Sequence, residues 1–277
     1  MQFDNIVFAG GGNRCFWQAG FWKSLNDELA LKPKNIASVS AGSAISCAIF
    51  SGKMVETLEN AKEVMSKNKK NRYLGNIFKA APVYPHNDLY RHIVQQSLTG
   101  SSLKTLHEGP LNHILVAHIP RYLGARSSVL LGLGAYQLEK TMSHPVHPKL
   151  GRKLGFRSEF ILSSHCKTVA ELTDAMLSSS CTPPFTPMMY RNNKPVLDGG
   201  MVDNVPVHGV NHYPGQTLVL LSRPYKNLPT ISGRIYAQPS QPVPVKSWDY
   251  TNPTGVQLTY EQGLSDGMIF LNTLNKR

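Results

Sequence analysis

Residues 35–46 read NIASVSAGSAIS. The first five, NIASV, have the apolar character of a buried strand. From residue 41 the chain is small and apolar again, and AGSAISCAIF (41–50) reads as a buried helix. Between them stands Ser38-Val39-Ser40-Ala41-Gly42. A strand has no need of so many small residues at its end, but a sharp corner with a reactive hydroxyl at its tip does. In a nucleophile elbow the strand delivers a serine to the end of the sheet. Small residues two before and two after it keep the turn tight. A helix then starts at once, so that its first N–H groups and its dipole face the serine oxygen. The usual pattern is G-x-S-x-G, and here Ser38 stands where the first glycine would be. Three serines compete for the tip. Ser40 is central between the small residues, Ser38 has only Ile36 two positions before it, and Ser43 falls about a turn inside the helix.

Upstream, FAGGGNRCFWQAG (8–20) places three glycines between a short strand, NIVFA (5–9), and a helix from Asn13 to Glu28. Such a turn frees backbone N–H groups to point at an anion. A nucleotide phosphate is one such anion, and the oxyanion of a tetrahedral acyl intermediate is another. A dinucleotide fingerprint starting at Gly10 needs glycine or alanine at position 15, where Cys15 stands. A P-loop needs Gly-Lys-Ser/Thr at 15–17, which reads Cys-Phe-Trp. A nucleotide is therefore disfavoured; a tight turn with no ligand stays open. Arg14, just past the triplet, could hold the loop by hydrogen bonds, face a lipid phosphate or lie on the surface.

Outward from these motifs, strands and helices alternate. LNHILVAHI (111–119), SEFILS (158–163) and QTLVLLS (216–222) read as strands. Helices are expected from Val55, Leu58, Ala61 and Met65; from Leu89 and Ile93, with Asn87 as cap; over KTVAELTDAMLSS (167–179); and around Tyr260, Leu264, Met268 and Leu271. The alternation predicts a mostly parallel sheet covered on both faces. Residues 121–157, around VLLGLG, and residues 223–255, with several prolines, read as loops.

The chain has 277 residues, 41% hydrophobic, enough for one large core. Lys and Arg number 29 against 17 Asp and Glu, a net charge of +12 that suits an anionic partner. The four cysteines form no C-x-x-C pair and no cluster with zinc spacing, so no metal is expected and a reducing, cytoplasmic setting is. No basic region followed by an apolar stretch opens the chain, so no secretory signal is expected. No apolar run reaches the roughly 18 residues of a membrane span.

A third feature is KPVLDGGMVDNVPV (194–207). An aspartate before Gly-Gly can sit on a tight loop with its carboxylate exposed to a cavity, though ordinary Asp-Gly turns read the same way. The three features occur in order: a Gly triplet with Arg14 close behind, a serine elbow, and Asp198-Gly199-Gly200 with Asn204-Val205-Pro206 after it. In this joint pattern the chain resembles the patatin-like phospholipase family. DAMLSSSCTPPFTPMMY (174–190) and YEQGLSDG (260–267) are similar to the family's pattern too.

The resemblance implies one patatin-like domain over residues 1–277. Its fold would be three-layer α/β/α with a central mostly parallel sheet, related to cytosolic phospholipase A2. It implies a Ser–Asp dyad without histidine: Ser40 as nucleophile, Asp198 as base, and an oxyanion hole from Gly10, Gly11 and Gly12 with help from the Ala41 N–H. No cofactor is implied. The expected substrate is a phospholipid or another lipid ester, reached by contact with anionic membrane. The basic run KNKKNR (67–72) and the basic residues of 121–157 are candidates for that contact, or simply a solvated charged face.

Three rivals remain at this stage. A Ser-His-Asp triad would draw on His208 or His212, but that fold places several strands before its serine and only one precedes Ser40. A catalytically silent lipid- or anion-binding module is favoured by Ser38 alone. Nucleic-acid binding has the net charge behind it and no recognition motif.

Overall fold

The computed structural model describes residues 2–274 apart from 80, 121, 125–126, 133, 135–145 and 148–149. Eight strands form one sheet among the described residues. They are β1 (Asn5–Phe8), β2 (Asn35–Val39), β3 (Leu111–His118), β4 (Arg157–Leu162), β5 (Met189–Arg191), β6 (Lys194–Asp198), β7 (Thr217–Leu220) and β8 (Arg234–Ala237). The central run β3-β2-β1-β7-β8 is parallel throughout. β1, β2 and β7 are buried along their whole lengths, which is why they read as unbroken apolar stretches. β4, β5 and β6 run antiparallel at the β3 end. The α/β class with a mostly parallel central sheet is therefore borne out.

Among the described residues seven longer helices surround it: α1 (Phe16–Leu29), α2 (Ala41–Phe50), α3 (Met54–Lys67), α4 (His86–Ser97), α5 (Gly100–Glu108), α6 (Val169–Ser179) and α7 (Pro253–Leu274). Side chains alternate along the strands and divide the core. Ile6, Phe8, Ile36, Leu218 and Leu220 face the layer built by α1, α3 and α7. Ile114, Val116 and Ile161 extend that face under α2, α5 and α6. Val7, Ala37 and Val219 face the other way, onto Val205, Val207 and Val210. The second covering layer is thinner, built from short turns and the helix Leu150–Lys153.

The largest helix–helix contact joins α1 to α7. Two small residues let the backbones meet. A Cβ at Gly263 would lie 2.2 Å from the Trp17 carbonyl oxygen, and one at Gly20 would lie 2.0 Å from that of Tyr260. The Trp17 indole N–H donates to Asp266 at 2.7 Å across the same seam. Because the obstruction is backbone, the helices must part to admit a methyl. Gly263→Ala is expected to destabilise the fold by about 2–3 kcal/mol in denaturant unfolding, despite alanine's better helix propensity.

Several expectations need correction. Asn87 is not the cap: α4 begins at His86 after Pro85, and the Asn87 amide donates to Asp88 instead. Proline presets the φ of a first turn and lacks the N–H that a helix start leaves unpaired, so Pro85 ends the incoming loop there. Val55 is 65% exposed and Met268 48% exposed, so neither belongs to the inward face assigned to it. On α7 the face toward α1 carries Val256, Thr259, Gly263, Asp266 and Gly267, a small-residue seam that hydrophobicity alone does not mark. The 223–255 segment contains β8, and 121–157 contains short helical pieces. Most of VLLGLG is described, but its Leu133 and the neighbouring positions 121, 125–126, 135–145 and 148–149, some of them basic, lie outside the described residues.

Candidate active site

β2 and α2 meet at Ser40 with no residue between strand, serine and helix. Ser40 adopts φ 53° and ψ −136°, one of four described non-glycine residues at positive φ. A Cβ-bearing residue resists that conformation, at about 1–3 kcal/mol, and such strain gathers at functional sites. Its surroundings over-determine it. The Ser40 N–H donates to Ser179 Oγ at 2.8 Å, and Ser179 Oγ donates to the Leu115 carbonyl at 2.6 Å. Behind it, a Cβ at Gly42 would lie 2.6 Å from the Ala9 carbonyl oxygen, so the helix start presses directly on the end of β1. Ser43 turns its hydroxyl back to the Ser40 carbonyl, which removes it from contention as the tip.

Ser38 does not crowd the corner. It is fully buried within β2, and its hydroxyl donates to Asn112 Oδ1 at 2.8 Å on the neighbouring strand. The Asn112 amide passes the chain on to Ser46 Oγ at 2.9 Å, so a small polar network replaces what glycine would leave open.

Sheet register brings Asp198 to the same place. β3 pairs with β2 through Leu115 opposite Val39, then with β6 through Val116 opposite Asp198. β4 runs alongside both stretches, so it takes the other edge of β3. β6 therefore continues the edge where β2 ends. The residue after Val39 and the last residue of β6 become neighbours although 158 positions separate Ser40 from Asp198. Gly199 makes the approach feasible: a Cβ there would lie 2.3 Å from the Leu115 carbonyl and 2.7 Å from Val39.

The Asp198 carboxylate accepts the Gly200 N–H at 2.7 Å, and the side chains of Ser40 and Thr182 are close enough to favour its ionised form. Burial pushes its pKa up from 3.8 to about 6, against those three polar neighbours. At neutral pH the group is mostly ionised and far more basic than an exposed aspartate. Below it, Asp203 anchors the descending loop. It accepts the Val205 N–H at 3.0 Å and pairs with His208 at 3.3 Å and Arg152 at 3.4 Å. Burial would raise the Asp203 pKa, but its bonds to His147 and His208 outweigh that and hold it low.

The glycine triplet divides its work. The Gly10 N–H donates to the Asn204 carbonyl at 3.0 Å, and Gly10 is not among the residues that line the cavity described below. Its carbonyl is held in turn by Ser222 Oγ at 2.7 Å and Asn204 Nδ2 at 3.1 Å. Gly11 and Gly12 stand at the start of a 3₁₀ turn (Gly12–Cys15), where amides have no partner within the helix, and both line the cavity. Ala41 lines it too, at the first position of α2. Arg14 donates from Nε to the Gly11 carbonyl at 3.1 Å, holding the loop, while its side chain borders the same space.

That space is a cavity of about 500 Å³ with Ser40 and Asp198 in its wall. Phe185, Trp248 and Tyr250 give it an aromatic side, and Phe185 stacks on Trp248 with ring centres 5.3 Å apart. His208 and His212 are not among its lining residues; His212 packs on Tyr213 instead. His86 does line it, with its pKa lowered by burial and its Nε2 3.0 Å from the Trp248 carbonyl oxygen. His86, Thr182, Asn204 and Ser179 were not singled out from the sequence. Asn204, Ser179 and Thr182 lay inside stretches that resemble the family's pattern but carried no signal of their own; His86 lay outside them all.

A buried strand, a strained serine and an immediate helix, with a carboxylate beside the serine, define an α/β protein of the nucleophile-elbow type. A model of the patatin-like phospholipases matches residues 6–210, well over half of the chain, and the chain belongs to that family, a family of lipid acyl hydrolases. Among solved structures it is similar to VipD from Legionella pneumophila, at 12% identity and a TM-score of 0.46, over 98% of this chain and 67% of that one. No curated protein matches the sequence. No helix among the described residues is long and apolar enough to cross a membrane, and none of their His, Cys, Asp and Glu side chains cluster as a metal site.

Proposed function

We propose that this protein hydrolyses carboxylic esters of lipids, of the phospholipase A or lysophospholipase type, through a Ser40–Asp198 dyad, with residues 1–277 acting as one catalytic unit. The observation that carries this reading is that Ser40, strained at its corner, and a buried carboxylate whose pKa burial has lifted to about 6 stand in the wall of one cavity. A serine hydroxyl is a poor nucleophile until a base takes its proton. Asp198 takes that proton as Ser40 Oγ attacks the ester carbonyl, and returns it to the departing alcohol. Water then attacks the acyl-enzyme by the reverse sequence, with Asp198 again accepting the proton. The amides of Gly11, Gly12 and Ala41, all at the cavity wall, are its donors to the developing oxyanion, each worth about 3 kcal/mol of transition-state stabilisation. An ester suits this site better than an amide, since an alkoxide leaving group needs less help from an acid.

A silent lipid-binding module was favoured only by Ser38, and the Ser38 hydroxyl is engaged with Asn112 away from the corner. Labelling with a serine-directed fluorophosphonate separates the two. The parent is expected to react at a single site, lost in Ser40→Ala. An unlabelled parent that also leaves short-chain esters intact would mean a dead elbow.

A further inference from the structure

The catalytic cavity has an unusual neighbour. Residues Leu74–Phe78 form a 3₁₀ turn that projects from the surface after α3. Leu74 is 51% exposed, Ile77 60% and Phe78 92%. At 3₁₀ spacing Leu74 and Ile77 line up on one side, with Phe78 next to them. Three adjacent large apolar side chains left in water mark a binding surface more than a packing accident.

The charges around this tip are of one sign. From Val64 to Asn87 the sequence holds no Asp or Glu and five basic residues, Lys67, Lys69, Lys70, Arg72 and Lys79. Lys67 is paired with Glu63. Among the described residues no ion pair reaches the other four, and all four are exposed. An apolar tip flanked in sequence by exposed cations matches the layering of an anionic bilayer, acyl chains below and phosphates above.

The tip is also firmly mounted. The Tyr73 N–H donates to the Val83 carbonyl at 2.8 Å, and Asn76 Nδ2 to the Pro82 carbonyl at 2.8 Å. At its base Asn71 donates to Asp249 Oδ1 at 3.0 Å and accepts the Tyr250 N–H at 2.8 Å. Tyr250 is a wall of the catalytic cavity. Between the projection and Pro184–Pro187 lies a groove of about 650 Å³, lined by Leu74, Ile77 and Tyr84, which shares Phe185 and Thr186 with the catalytic cavity. Tyr84 and Phe185 rings are 4.8 Å apart, continuing the apolar path inward.

We propose that Leu74, Ile77 and Phe78, flanked in sequence by Lys69, Lys70, Arg72 and Lys79, form the surface by which this protein docks on anionic phospholipid bilayers, and that the adjoining groove admits an acyl chain from the bilayer toward Ser40. The docking surface stands independently of the chemistry; the groove's use as an acyl path rests on the hydrolase reading above.

The test is co-sedimentation with phosphatidylcholine vesicles with and without phosphatidylserine, in the Ser40→Ala background so that no lipid is consumed. The parent is expected to bind the phosphatidylserine vesicles and to be released by salt. A Phe78→Ser variant is expected to bind at least about tenfold more weakly. Lys69→Gln/Lys70→Gln is expected to lose about tenfold on anionic vesicles only. With Ser40 restored, both variants should hydrolyse a dissolved short-chain ester as the parent does, showing that the fold and the site are intact. Parent-like vesicle binding by both variants would overturn the proposal, as would a parent that ignores vesicles of either composition; the surface would then serve a protein partner. Vesicle binding without any ester hydrolysis would leave the docking surface standing and remove the hydrolase reading.

Discussion

Ser40→Ala and Asp198→Asn are each expected to lower kcat/KM for a short-chain ester by about 1000-fold or more, and the double variant should be hardly worse than either single one. The reason is that the two side chains perform one act. Without the hydroxyl there is nothing for the carboxylate to deprotonate, and without the carboxylate the hydroxyl attacks at its unassisted rate. Residual activity in each case would come from the cavity and the amides of Gly11, Gly12 and Ala41. Additive losses would mean two independent contributions, and full activity in both single variants would sink the dyad. A companion measurement addresses the corner itself. Ser40→Gly and Ser40→Ala both delete the hydroxyl, and differ only by a Cβ held at φ 53°. Ser40→Gly is expected to be the more stable of the two by about 1 kcal/mol, although glycine is normally the worse residue beside a helix. Equal stability would mean that the serine's backbone is not strained.

What could be read from the sequence was whatever is local. NIASV and AGSAISCAIF were legible to the residue as strand and helix because parallel-sheet burial and small-residue packing both mark the chain directly. Ser40 followed from its immediate neighbours. Asp198 was named through the joint pattern, but its position beside Ser40 is a consequence of register. β6 joins β3 where β2 leaves off, and nothing in KPVLD announces that edge. The partner of the Gly10 amide was hidden for the same reason: its acceptor, the Asn204 carbonyl, lies 194 positions away. The acceptor that orients the Ser40 amide, Ser179 Oγ, lies 139 positions away. The apolar tip at Leu74–Phe78 was missed from the other direction. A five-residue turn has too short a period to register, and only its exposure sets it apart from a core segment.

Asp198 is expected to oppose stability and support activity over the same pH range. Its folded pKa of about 6 lies above the ordinary 3.8. Between those values the folded state holds a proton that the unfolded chain has released, so folding stability falls as pH rises through about 4 to 6. Above that range the ionised carboxylate costs about 3 kcal/mol relative to a group with an unshifted pKa. Asparagine cannot ionise and keeps an oxygen for the Gly200 N–H, though it loses the favourable interaction of the charged carboxylate with Ser40 and Thr182. Asp198→Asn is therefore expected to be about 1–2 kcal/mol more stable than the parent in denaturant unfolding at neutral pH, with the gain vanishing toward about pH 4. Activity moves the other way. The base must be ionised to accept the Ser40 proton, so kcat/KM of the parent should rise with pH through about 6 and then level. Thr182→Val removes one of the donors that favour the ionised form, and should carry that acid limb to higher pH while leaving its shape unchanged. A neutral-pH stability loss in Asp198→Asn, or an acid limb near the ordinary aspartate value, would show that the carboxylate is neither desolvated nor poised, and a dyad without histidine would then have no base strong enough to work.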